Sequence, residues 1–223
     1  MTEVNYTKRN VSDFTDAKYR NQILGRFLCT KILFRLFYSI EYIGRENIPT
    51  DRNYIAAPNH ISHMDPIIIG EAINEPIAYM GKKELFDSNR AFAWLLDQVA
   101  CFAVNREKLE VSTIKTAINV LKTNRWRLGI FPQGGIKRNK KIEKVNKGVA
   151  IIAKQMKTDI VPIGIIGCEH STWIPFAGKI KVQIGEPISH EKEVDEILNE
   201  WAEKISKLTG YEIIENIEEE TEN

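Results

Sequence analysis

Asn59-His60-Ile61-Ser62-His63-Met64-Asp65-Pro66 stands between two apolar runs, Tyr54-Ile55-Ala56-Ala57 before it and Ile67-Ile68-Ile69 after it. The first run, closed by Pro58, reads as a strand ending, and Asp-Pro ahead of an apolar stretch reads as a helix N-cap and first helical position. The octapeptide is therefore a strand-to-helix turn. On a continuous helix His60 and Asp65 would point about 140° apart, so only a turn brings them face to face. Pro66 disfavours the helical conformation at Asp65 and holds the turn open. An imidazole bonded to a carboxylate makes a general-base pair, with the acid fixing the tautomer and stabilising the imidazolium. Ser62 has no Gly-x-Ser-x-Gly elbow around it and is not the nucleophile of a serine hydrolase. The plain structural alternative is that His60 closes the turn and Asp65 caps the helix.

Outward from the turn the pattern alternates. Residues 20–40 form the most apolar long stretch, read as two short helices or one kinked helix because its apolar positions drift from face to face. Arg26, Lys31 and Arg35 interrupt it and argue against a bilayer span, while the mixture of basic, aromatic and aliphatic residues suits a membrane interface; a helix packed on the protein's own core is the alternative. Strands are predicted over 76–81, 99–104, 128–131, 160–166 and 179–184, and helices over 91–96, 111–121, 147–156 and 194–208. Strands alternating with helices mean an α/β fold with a mixed, largely parallel sheet flanked by helices. The expected division is an N-terminal helical, membrane-associating segment (1–45), an α/β domain (46–190) and a C-terminal amphipathic helix with an acidic tail (191–223).

The 223 residues are 43% apolar, ample for one core, and their net charge of +1 conceals an uneven distribution. Between Lys122 and Lys157 there are eleven Lys or Arg against one acid, whereas Glu191–Asn223 holds twelve acids against three Lys. The middle is expected to face anions. Cys29, Cys101 and Cys168 lie far apart without a Cys-x-x-Cys, so neither disulfides nor a zinc knuckle is suggested and a reducing cytoplasm is the default. The N-terminus lacks the apolar core of a signal peptide.

Ligands of open α/β sheets gather past the strand ends. Four predicted ends deliver polar groups there: Asn59 and His60; Lys82; Asn105 and Arg106; and the loop Gln133-Gly134-Gly135-Ile136-Lys137-Arg138. A base among cations suits an anionic substrate whose hydroxyl loses a proton.

These residues come in an ordered series that resembles the lysophosphatidic acid acyltransferases, the PlsC-like glycerolipid acyltransferase family. Asn59-His60 with Asp65 is similar to the family's Asn-His-x4-Asp, Lys82-Lys83-Glu84-Leu85 to its Lys-x-Glu-Leu, and Cys101-Phe102-Ala103-Val104-Asn105-Arg106 to the strand that ends in its second-block Arg. Phe131-Pro132-Gln133-Gly134 resembles Phe-Pro-Glu-Gly, Ile160-Val161-Pro162-Ile163 its Val-Pro-Val block, and Gly185-Glu186-Pro187-Ile188 its Gly-x-Pro-Ile ending. The resemblance implies fatty acyl transfer from an acyl thioester, acyl coenzyme A or acyl carrier protein, to a lysophospholipid hydroxyl in a membrane, most directly that of 1-acyl-sn-glycerol-3-phosphate. It assigns His60 as base and Asp65 as its partner, with no acyl-enzyme, no cofactor, no metal and no role for the cysteines. Substrate binding falls to Asn59, Lys82, Arg106, Gln133, Gly134, Gly135, Lys137 and Arg138, on a protein peripheral to the cytoplasmic membrane face.

The third block departs from the family. Gln133-Gly134-Gly135-Ile136 replaces the common Glu-Gly-Thr-Arg, losing an acid, a hydroxyl and a guanidinium; Lys137 and Arg138 follow directly and can supply the charge. The departure bears on the acceptor, so another lysolipid or glycerol 3-phosphate is the alternative within the class. A metallohydrolase built on His60, His63 and Asp65 is the alternative from another class, with only His170 and His190 left to complete a site. Nucleic acid is not expected as a partner, since the basic middle lacks aromatic interleaving beyond Trp126 and any recognised motif.

Overall fold

The computed structural model describes residues 5–105, 110–143, 145–169 and 178–214. In chain order it forms α1 (Asp16–Arg26), a π-helical continuation (Phe27–Phe34), α2 (Arg35–Phe37), β1 (Tyr38–Ile43), β2 (Tyr54–Pro58), α3 (Asp65–Ile73) and β3 (Ile77–Lys82). There follow α4 (Lys83–Ser88), α5 (Arg90–Gln98), β4 (Phe102–Val104), α6 (Val111–Lys122), β5 (Arg127–Gly129), β6 (Lys141–Ile142) and α7 (Gly148–Met156). The chain closes with β7 (Asp159–Ile166), β8 (Gly178–Ile184), α8 (Val194–Thr209) and β9 (Glu212–Ile213).

Seven strands make one sheet in the order β1-β8-β7-β2-β5-β3-β4. The run β7-β2-β5-β3-β4 is parallel throughout, β8 is antiparallel to β7, and β1 runs parallel to β8. The sheet is thus mixed and largely parallel, flanked by helices. Central β2 is buried along its whole length, which is why it reads as an unbroken apolar run rather than an alternation. In α8 Ile197, Trp201 and Ile205 repeat every fourth residue and are fully buried, with the Trp201 indole donating to the Ala57 carbonyl of β2.

The predicted N-terminal segment is built into this body. Its last residues are edge strand β1, paired with β8 from Tyr38↔Gly178 to Ile43↔Gln183, where the apolar reading had run helix as far as residue 40. Gln22 bonds the backbone of Ile77 and Val99, and buried Arg26 donates to the Gly70 and Glu75 carbonyls. A Cβ at Gly70 would lie 2.9 Å from the Arg26 side chain, so the glycine in α3 makes room for that guanidinium. One apolar core runs from Tyr38 to Tyr211 and takes in α8, so all three expected segments contribute to it. No described helix is long and apolar enough to cross a membrane.

The basic middle and acidic tail meet in part. Lys147 pairs with Asp195 and Lys154 with Glu193, both at 3.0 Å, and Lys137 pairs with Glu143 at 2.6 Å. Half-exposed pairs of this kind add little stability, but they lessen the cationic surface anticipated for residues 122–157.

Candidate active site

The parallel strands β2, β5, β3, β4 and β7 all end on the same edge of the sheet, and the turn from Asn59 to Asp65 lies there. Pro58 closes β2, and the next residue is stitched to β7: Asn59 N–H donates to the Ile163 carbonyl, its amide nitrogen donates to the Ile165 carbonyl at 3.0 Å, and its amide oxygen accepts from Ile165 N–H at 2.7 Å. Expected among the substrate-binding residues, Asn59 is 1% exposed with both ends of its amide committed to backbone. It acts as an extra rung of the sheet and sets the direction in which His60 leaves it.

His60 Nδ1 lies 2.8 Å from Asp65 Oδ2. The same oxygen accepts the Ile61 and Ser62 backbone N–H groups at 2.7 and 2.9 Å. Asp65 is the first residue of α3, preceded by Met64 at the cap position, so its carboxylate reaches back into the turn rather than capping the helix as the sequence suggested. Three contacts converge on one oxygen of a carboxylate with no exposed surface, and the two backbone N–H groups among them fix that oxygen as an acceptor. Nδ1 of His60 then carries the proton donated to Asp65, which leaves Nε2 as the basic nitrogen.

The imidazole is fixed from a second side. Its ring stacks on Phe131 at 3.9 Å between centroids and 24° between planes, with Tyr79 behind Phe131 at 5.9 Å. The Tyr79 hydroxyl donates to the Pro66 carbonyl at 2.9 Å, tying β3 to the start of α3; burial raises its pKa well above the ordinary tyrosine value and keeps it a donor. The His60 carbonyl accepts the Lys137 N–H at 2.7 Å. Phe131 sits in the block that marked the strand end, yet its part in holding the imidazole was not legible from it.

Beside Phe131 lies a cavity of about 450 Å³ whose wall is apolar at Met80, Val104, Ile130, Val149 and Ile152 and polar at Asn105, Gln133, Lys137, Asn146 and Lys147. Gln133 is 7% exposed and donates to the Lys141 carbonyl at 3.2 Å. Gly134, at φ +70°, turns the chain where a Cβ would lie 2.6 Å from the Asn146 amide, which itself donates to the Pro132 carbonyl. Gly134 and Lys137 line the cavity, Gly135 lies between them in the chain, and Arg138 is exposed outside it. Lys82, about half exposed at the end of β3, lies 3.4 Å from Glu84. Arg106, and with it His170, falls outside the described residues.

Opposite the histidine, the buried Cys168 thiol lies 3.2 Å from Asp65 Oδ1, a contact between residues 103 apart that no sequence pattern announces. Burial, and then the Asp65 charge, push this thiol far above the ordinary cysteine range. His63, weighed above as a third metal ligand, is exposed, and among the described residues no three His, Cys, Asp or Glu side chains gather as a metal site.

A histidine aligned by a buried carboxylate, at the strand-end edge of a mixed α/β sheet and next to a cavity with an apolar wall, is an arrangement suited to acyl transfer to an alcohol. The chain belongs to the acyltransferase family, whose model matches residues 39–166. It is 33% identical over 159 residues to the 1-acyl-sn-glycerol-3-phosphate acyltransferase of Bacillus subtilis (strain 168), covering 71% of this chain and 78% of the relative. It is 30% identical over 223 residues to the enzyme of the same name from Streptococcus pneumoniae (strain ATCC BAA-255 / R6), covering 99% of this chain and 80% of the relative. In fold it is similar to the crystal structure of the 1-acyl-sn-glycerophosphate acyltransferase PlsC of Thermotoga maritima, with a TM-score of 0.62 and 23% identity, covering 87% of this chain and 85% of that one.

Proposed function

We propose that this acyltransferase moves a fatty acyl group from an acyl thioester to the free hydroxyl of 1-acyl-sn-glycerol-3-phosphate, a step of phospholipid synthesis. The observation that carries the reading is the 2.8 Å bond between His60 and the buried Asp65 at the strand-end edge. Nε2 of His60 takes the proton of the acceptor hydroxyl as its oxygen attacks the thioester carbonyl. Asp65 balances the imidazolium, the tetrahedral carbon expels the thiolate, and the proton returns from His60 to sulfur. The thioester supplies all the driving force, and no cofactor enters the balance. Coenzyme A and acyl carrier protein serve equally as the carrier in this chemistry.

The acceptor's phosphate falls to Lys82, Arg106, Lys137 and Arg138, with Gln133, Gly134 and Gly135 shaping the loop between them. The acyl chain suits the apolar wall of the cavity beside Phe131. The loop that carries Gln133 in place of an acid, with Lys137 held by Glu143, supports a second reading in which the acceptor is another lysolipid or glycerol 3-phosphate. For its membrane contact the protein offers Ile23, Leu24, Phe27 and Leu28 on α1 and its continuation, all more than 40% exposed, which suit the interface of the cytoplasmic leaflet. Acyl transfer assayed against a panel of lysophospholipids and glycerol 3-phosphate, with acyl coenzyme A and acyl carrier protein as donors, tests the reading. Fastest turnover on 1-acyl-sn-glycerol-3-phosphate supports it, fastest turnover on another acceptor moves the assignment to the second reading, and transfer to none of them overturns both.

A further inference from the structure

We infer that Cys168 is a positioning residue of the transfer reaction, its thiol donating a hydrogen bond to the second oxygen of Asp65 and so setting how strongly that carboxylate holds the imidazolium of His60. The inference rests on the proposed role of His60 as base. Asp65 is completely buried, and its Oδ2 is filled by His60, Ile61 N–H and Ser62 N–H. Its Oδ1 faces Cys168 Sγ at 3.2 Å. A buried carboxylate oxygen left without a donor carries its full desolvation penalty, so the thiol satisfies an oxygen that water does not reach.

The thiol cannot act as a nucleophile here, because it is 1% exposed and burial beside a carboxylate keeps it protonated, which is the form that donates. Its position is fixed by the turn after β7. Gly167, at φ +95°, lies where a Cβ would meet the Lys179 carbonyl at 2.0 Å, so only glycine fits. Gly167 N–H donates to Glu169 Oε2 at 2.9 Å, and the Tyr211 hydroxyl donates to Glu169 Oε1. The titratable groups facing this cluster are His60 and Asp65 from the turn and α3, Tyr79 from β3, Cys168 and Glu169 from the turn after β7, and Tyr211 after α8, with Lys140 acting on Glu169.

A donor on Oδ1 spreads the carboxylate's charge away from Oδ2. Without it the imidazolium is held more tightly, and His60 gives up its role as free base at a higher pH. Cys168→Ala is therefore expected to move the acid limb of the kcat/KM pH profile upward by about half a pH unit, the scale of one weak charge-assisted bond, which lowers kcat/KM about threefold below the limb and leaves its plateau no lower than that of wild type. Cys168→Ser, which restores a donor, is expected to return the limb to within a few tenths of a unit of wild type. An unmoved limb in Cys168→Ala, or a serine variant displaced as far as the alanine one, overturns the inference, since a residue that only packs would alter the melting temperature alone. The bond itself is read in the full chain without any activity, from the infrared S–H stretching bands of wild type and Asp65→Asn. One thiol band shifting to higher frequency in Asp65→Asn supports the contact, and an unchanged set of thiol bands overturns it. That readout stands whether or not His60 is the base, so failure of the transfer mechanism and failure of the thiol contact are told apart.

Discussion

Replacing Asp65 with Asn keeps the shape of the site and removes its charge. The amide oxygen can still accept from Ile61 and Ser62 N–H and from His60 Nδ1, while the amide nitrogen turns to Cys168 Sγ, so the turn has every reason to persist. What is lost is the attraction between a carboxylate and the imidazolium that forms as the acceptor hydroxyl is deprotonated. With N···O at 2.8 Å the charge centres lie about 4 Å apart, and unit charges at that distance attract by about 4 kcal/mol at an effective dielectric constant near 20. At about 1.4 kcal/mol per tenfold this is roughly 10³-fold in rate, and the hydrogen bonds retained by the amide reduce the expected loss to about 10²- to 10³-fold. The loss is expected in kcat, because the charge pair exists only once the proton has moved. Free thiol released from the acyl thioester, followed at saturating acceptor, gives kcat directly, and a thermal melt within about 5 °C of wild type confirms the fold. A kcat reduced less than fivefold in a folded Asp65→Asn protein would refute the charge-balancing role, and an unfolded protein would show that the carboxylate is needed first for structure.

Two further outcomes are expected. Glu169 is pushed up by burial but pulled down further by the Tyr211 hydroxyl and by backbone N–H groups, so its carboxyl lies below the ordinary range. A depressed carboxyl contributes stability that is complete above the unfolded value and is lost as the pH falls through the folded one, so the loss begins below about pH 4. Melting temperature in Glu169→Gln should accordingly be lower than wild type at neutral pH and converge on it in acid; parallel curves at every pH would show that Glu169 is not the group involved. Leu24→Glu with Phe27→Glu, both at exposed positions, should reduce co-sedimentation with anionic vesicles about tenfold or more at unchanged melting temperature. Equal sedimentation would move the membrane contact elsewhere. These point changes are preferable to deleting residues 1–40, because that deletion would strip Gln22 and Arg26 from the backbone groups they satisfy and cut into β1.

Legibility of the sequence followed the range of the forces involved. Helices α6, α7 and α8 came from 3.6-residue periodicity, and β2, β3, β7 and β8 from apolar or alternating runs bounded by Pro and Gly, because their burial is written locally. Strand β1 was missed since Tyr38-Ser39-Ile40 continues the apolar helical stretch with no breaker between them, and only its pairing with β8, about 140 residues on, makes it a strand. Two-residue strands β6 and β9 have no period to detect. Within the site, His60 and Asp65 were readable because one turn holds both. The roles of Asn59 and Cys168 were not, since each is decided by a partner more than 100 residues away. The cap position, which falls to Met64, and the bonds of Asp65 to Ile61 and Ser62 N–H also escaped, because an Asp at the cap and an Asp at the first helical residue share the same Asp-Pro signature.

The central claim is that Nε2 of His60 removes the acceptor's proton. Acyl transfer by folded His60→Ala, measured under single-turnover conditions with 1-acyl-sn-glycerol-3-phosphate at saturation, tests it most directly. A rate roughly 10²- to 10⁴-fold below wild type, with the melting temperature preserved, is the predicted result, and a rate within a few fold of wild type would contradict it.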